Sequence, residues 1–72
     1  MEMDKKMIGA ALRNARIRSG LGSQEIVADA IGVEQCQLSR WERGAHQPSA
    51  GALCRLADLY QCSLDALLGR ER

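Results

Sequence analysis

The sequence predicts an all-α fold, a compact bundle of five short helices. Two observations carry this. Gly20, Gly22, Gly32, Gly44 and Pro48 divide the chain into segments whose apolar residues recur at helical spacing. No segment shows the sustained alternation of β-branched residues that a strand requires. A chain of 72 residues has room for one domain. A domain that small buries only about 60% of its unfolded surface. Hydrophobic residues at 46% and charged residues at 26% suit a folded protein rather than a disordered one. Aromatics at 3% leave the core to Leu, Ile, Val and Ala.

Each helix has its own signal. The first spans residues 5–19, with an apolar stripe at Ile8, Ala11, Leu12 and Ala15. Ser23 is placed to cap the second, its hydroxyl accepting from an amide of the first turn. Val27, Ala28 and Ile31 form that helix's inner face, and Gly32 ends it. The third starts near Gln35 and ends at Gly44, with Leu38 and Trp41, three apart, turned inward. Residues 45–48 are a loop, and Pro48-Ser49 introduces a fourth helix that buries Leu53, Leu56, Ala57 and Tyr60, the Tyr60 hydroxyl reaching outward. A short fifth helix over residues 63–68 buries Leu64, Leu67 and Leu68. Cys54 and Cys62 read as small buried hydrophobes near the packing of the last two helices. The expected organisation is an N-terminal arm over residues 1–7, a folded domain over 8–69 and a tail over 70–72.

Several function classes are excluded or disfavoured. No uncharged apolar run approaches the roughly 18 residues of a membrane span. Glu2 and Asp4 interrupt the N-terminus, which does not read as a secretory signal. Three cysteines without C-x-x-C spacing, and one histidine, make neither a disulfide framework nor a metal site. Reduced cysteines in a cytoplasmic protein are the plain expectation. No acid/base pair and no nucleophile–His pair is present, so neither an enzyme nor a cofactor is expected. Few aromatics disfavour binding of single strands or RNA. The net charge of +1 is silent on nucleic acid, so the distribution of charge decides.

The informative unit is SQEIVADAIGVEQCQLSRWERG, residues 23–44. It reads as a short helix, a tight turn at Gly32 and a second short helix. Ala28 and Gly32 supply the small contact that lets two helices cross steeply. This is the helix-turn-helix arrangement, whose second helix enters a DNA major groove. At about 100° per residue, Leu38 and Trp41 fix the core direction of the third helix. The opposite strip then carries Cys36, Ser39, Arg40 and Arg43, with Gln35 at the exposed N-terminal end. The guanidinium fork of Arg40 matches the O6 and N7 acceptors of guanine. Gln35 matches N6 and N7 of adenine. Cys36 offers an apolar touch to a thymine methyl and is the candidate for redox control. Trp41 reads as core, not as a base-stacking platform. His46 and Gln47 follow in the loop. Arg13 and Arg18 read as solvated.

Ser23-Gln24-Glu25, Val27-Ala28, Gly32-Val33, Leu38-Ser39 and Trp41-Glu42-Arg43-Gly44 together resemble the helix-turn-helix of the lambdoid phage repressor and Cro proteins and the wider bacterial family sharing their fold. Ile8-Gly9, Leu12-Arg13, Arg16, Pro48-Ser49, Leu56-Ala57 and residues 63–68 extend the resemblance over about residues 8–69. It implies base contacts at Gln35, Cys36 and Arg40, alongside the Ser39 read from helix geometry. It also implies a hydrogen bond between Gln24 and Gln35, with Gln24 holding a phosphate. Ser23, Arg43, His46 and Gln47 complete the expected phosphate and positioning contacts. Glu42 is expected to form a largely buried ion pair with Arg16. The sequence departs from the family in three places. The turn before Ser23 carries Gly20-Leu21-Gly22, one residue more than usual. Ile26 stands at a place usually polar. Glu34 replaces a Ser or Thr cap on the third helix.

The expected function is therefore a sequence-specific regulator of transcription that binds double-stranded DNA as a homodimer on a pseudo-palindromic operator. Leu64, Leu67 and Leu68 are the candidate dimer residues. The alternative is a protein-interaction module of antitoxin or coactivator type. Repressor, activator, restriction–modification controller and antitoxin roles share this pattern, as do RNA polymerase and toxin partners.

Overall fold

In the computed structural model, residues 4–68 are described. Residues 1–3 of the expected arm and the expected tail at 70–72 lie outside them. Five helices follow in order: α1, Lys5–Ser19; α2, Gln24–Ile31; α3, Gln35–Glu42; α4, Ala50–Tyr60; and α5, Leu64–Leu67. The described residues contain no strand. Four of the five helix starts carry a side-chain cap. Ser23 accepts from the Ile26 amide at 3.3 Å, Ser49 from Ala52 at 3.1 Å and Ser63 from Ala66 at 3.1 Å. Asp4 does the same for α1, accepting from Lys6 at 2.9 Å. Residues 5–7 are therefore the first turn of α1 and not part of an arm, because Asp4 caps the helix ahead of them.

Each helix contributes to one core. Ile8 and Leu12 of α1, Val27, Ala28 and Ile31 of α2, and Leu38 and Trp41 of α3 meet Ala52, Leu53, Leu56, Ala57 and Tyr60 of α4 and Leu67 of α5. Trp41 is buried as expected, so its indole is packing and no stacking platform. Three expectations about burial fail. Cys54 faces solvent, because the inner face of α4 is already filled by Leu53, Leu56 and Ala57. Leu64 is exposed, since the single turn of α5 turns inward through Leu67. The Tyr60 hydroxyl points into the protein. It is buried and has no hydrogen-bond partner among the described residues. Burial, and secondarily the neighbouring Glu42 carboxylate, push its pKa up to about 12.

Two glycines set the geometry that matters for function. Gly9 lies where α1 crosses the end of α3. A Cβ there would meet the Trp41 carbonyl oxygen at 2.5 Å and that of Glu42 at 2.7 Å, so only glycine lets the backbones approach. Gly32 acts differently from the small-contact role expected of it. Nothing lies within 4 Å of its Cβ position, but its φ is +76°, and this left-handed residue closes α2. Its amide and that of Val33 return to the carbonyls of Asp29 and Ala28, and α3 starts three residues later. The short turn is therefore fixed by backbone conformation, and the small packing residue is the buried Ala28 alone.

Candidate nucleic-acid interface

The outer strip of α3 is built as its periodicity requires. Leu38, Trp41 and Glu42 are buried, and Gln35, Cys36, Arg40 and Arg43 are exposed. Ser39, expected on the outer strip, is half-buried between the two sides. Its carbonyl accepts from the Arg43 amide at 3.0 Å and from Arg43 Nε at 3.4 Å, which folds Arg43 back along the helix. His46 and Gln47 are exposed in the loop that follows, and Pro48 is buried beneath them. That loop is tied to the helix by the amides of Ala45 and His46, which return to the Arg40 carbonyl at 2.9 and 3.4 Å.

Beneath the strip lies a polar cluster centred on Glu42, whose side chain is only 3% exposed. Arg16 of α1 grips it with two parallel bonds, Nε to Oε2 at 2.8 Å and Nη2 to Oε1 at 3.0 Å. This is the bidentate geometry that a guanidinium and a carboxylate favour. The hydrogen bond from Arg16 holds the guanidinium above its ordinary pKa. The ion pair expected from the resemblance is therefore present, and it clamps α1 to the end of α3.

Two further bonds complete the cluster, and one corrects an expectation. Gln24 Nε2 donates to Glu42 Oε1 at 2.9 Å and not to Gln35. A buried carboxylate is a stronger acceptor than a neighbouring amide, and Gln24, at the start of α2, is within reach of it. Gln35 is left exposed at the mouth of α3. The other bond comes from the lengthened α1–α2 turn. Gly22 adopts φ +89°, and its carbonyl accepts from Arg16 Nη1 at 2.6 Å. The extra residue thus supplies an acceptor for the third face of the guanidinium. The length of the turn alone does not reveal this role. The signal was the glycine itself, which marks a left-handed turn.

Electrostatically, pairing with Arg16 cancels Glu42, so the cations Arg40 and Arg43 face solvent beside Gln35, His46 and Gln47. Glu34, at the N-terminus of α3, is the acidic exception on this side. The arrangement suits a polyanion whose grooves admit a helix.

A positioning helix, a left-handed glycine turn and a second helix with an exposed polar strip define a helix-turn-helix protein. Residues 8–68 match the family of helix-turn-helix domains, and the chain belongs to it, in agreement with the resemblance to the lambdoid repressor type. It is 40% identical over 50 residues to the HTH-type transcriptional regulator AnsR of Bacillus subtilis (strain 168), an alignment covering 69% of this chain and 43% of AnsR. It is 33% identical over 64 residues to the HTH-type transcriptional regulator ImmR of the same strain, covering 89% of this chain and 50% of ImmR. The chain thus spans half or less of the length of these relatives.

Proposed function

We propose that this chain is a sequence-specific double-stranded DNA-binding regulator of transcription, acting in the bacterial cytoplasm as a homodimer, and not an enzyme. The observation that carries the reading is the split of α3 into a buried side, anchored through Glu42, and an exposed side bearing Gln35, Cys36, Arg40 and Arg43. Both named relatives are HTH-type transcriptional regulators, which supports the same role here. In this reading Arg40 reads guanine, Gln35 reads adenine and Cys36 touches a thymine methyl. Ser39, half-buried, has at most a supporting contact. Arg43, His46 and Gln47, together with Ser23 and the first-turn amides of α2, hold phosphates on either side. Gln24 acts as a positioning residue through Glu42.

One such domain makes too few contacts for useful affinity, so two copies read half-sites about 34 Å apart. Of the three candidate dimer residues, Leu67 is core and unavailable. Leu64, exposed, and Leu68, half-buried, remain.

The test is selection of bound sites from random duplexes, followed by a mobility-shift titration of the selected site. Wild type enriches a two-fold symmetric sequence. Arg40→Ala loses about 1–3 kcal/mol on that site and less on scrambled duplex. Equal retardation of every duplex by both proteins would sink direct readout and leave a protein-interaction module as the better account.

A further inference from the structure

All five N-terminal helix caps have the extended backbone typical of the position, but one side chain does not serve its helix. Asp4, Ser23, Ser49 and Ser63 each turn an oxygen back to a first-turn amide. Glu34 does not. Its main-chain carbonyl already accepts from the amides of Gln37 and Leu38 at 3.1 and 3.2 Å, so the carboxylate is left for other uses. Continuing the pitch of α3 back to position 34 would aim this side chain over the side of Leu38 and Trp41. Instead the residue is exposed, and its Oε2 accepts from the Cys36 thiol at 3.5 Å. The carboxylate has come round to the strip that carries Cys36 and Arg40. No basic side chain pairs with it among the described residues.

A carboxylate in this place has two consequences. It is acceptor-only, so of the base edges in a major groove it suits those that present an amino group, cytosine N4 foremost. Facing guanine O6 or thymine O4, it would lose its water without gaining a donor. It also repels every phosphate it approaches, whatever the sequence. We infer that Glu34 is a specificity-determining residue, whose carboxylate accepts from a cytosine amino group beside the bases met by Gln35 and Cys36 and weakens binding to all other DNA. The inference rests on the DNA-reading function proposed above.

The experiment is site selection from random duplexes with the full chain as wild type, Glu34→Gln and Glu34→Thr. Titration of the selected and a scrambled duplex at one fixed salt concentration follows. Glutamine keeps the shape and removes the charge, and threonine restores a hydroxyl cap. Position 34 is exposed, and matching thermal melts of the three proteins establish that the fold is kept. Wild type enriches cytosine at one position of each half-site. Both variants lose that preference by roughly fivefold to tenfold and bind the scrambled duplex several-fold tighter. Identical selected sequences and identical scrambled-duplex affinities for all three proteins overturn the inference and leave the DNA reading intact. A wild type that enriches no sequence overturns both.

Discussion

The side-chain amide of Gln24 ends on Glu42 Oε1, 2.9 Å away, so the first residue of α2 is bonded to the last residue of α3. Arg16 holds the same carboxylate from α1. The three helices that set the angle of the exposed strip therefore converge on one buried group. Within hydrogen-bonding distance of it, any tilt of α3 must break a bond from α1 or α2.

Removing that carboxylate should be among the most damaging single changes on the polar side of the protein. Glu42→Ala leaves a guanidinium and an amide without their acceptor, and a loss of about 3–5 kcal/mol is expected. Urea unfolding checks the figure. A loss under about 1 kcal/mol would show that the cluster contributes little to holding α1 against α3.

Glycine to alanine inside an exposed helix ordinarily stabilises by about 1 kcal/mol. At Gly9 the sign should reverse, because the added methyl meets two carbonyl oxygens of α3. Gly9→Ala is expected to cost about 1–3 kcal/mol and to weaken duplex binding as α3 is displaced. Gly32→Ala, with open space around it but a positive φ, should cost about 1–2 kcal/mol through backbone strain alone. Thermal unfolding of both variants, with duplex titration of each under conditions where it is folded, separates displacement of α3 from strain in the turn.

Tyr60 gives a pH signature. Its folded pKa of about 12 lies above the ordinary value of 10.0, so the folded state keeps the proton longer than the unfolded chain. The contribution is whole below pH 10 and is lost as pH rises from 10 towards 12, by on the order of 2 kcal/mol. Tyr60→Phe should remove this component. Its stability at neutral pH should be close to that of wild type, because the hydroxyl has no partner among the described residues to lose. Stability curves of the two proteins that stay parallel from pH 9 to 11 would contradict the assignment.

For the proposed dimer, Leu64 is the residue to change. It is exposed, so Leu64→Glu should leave the monomer fold intact and weaken self-association by roughly tenfold or more. Sedimentation velocity over a concentration series reports it. Leu67→Glu cannot serve as the test, because Leu67 is core and the variant would unfold.

Much of this architecture was legible because it depends on local rules. Serine caps, left-handed glycines and the three-residue spacing of Leu38 and Trp41 need no knowledge of the rest of the chain. What was misread depends on competition between distant groups. Gln24 is expected on Gln35 from the resemblance, and its bond to Glu42 instead follows from the burial of the carboxylate, which sequence spacing does not reveal. Leu64 and Leu67 look alike in sequence, and only the direction in which one turn of α5 meets the core separates them. The Tyr60 hydroxyl, expected to reach outward, is buried without a partner among the described residues, where a buried phenol normally finds one.

The linkage between Gly22 and Arg16 also limits how parts can be exchanged. A chimera that replaces the turn before α2, together with α2 and α3, by a shorter joint would take away the carbonyl that now satisfies the remaining guanidinium nitrogen. Grafts into this chain should keep Gly20-Leu21-Gly22 with α1, since here the spacer and the clamp work as one unit.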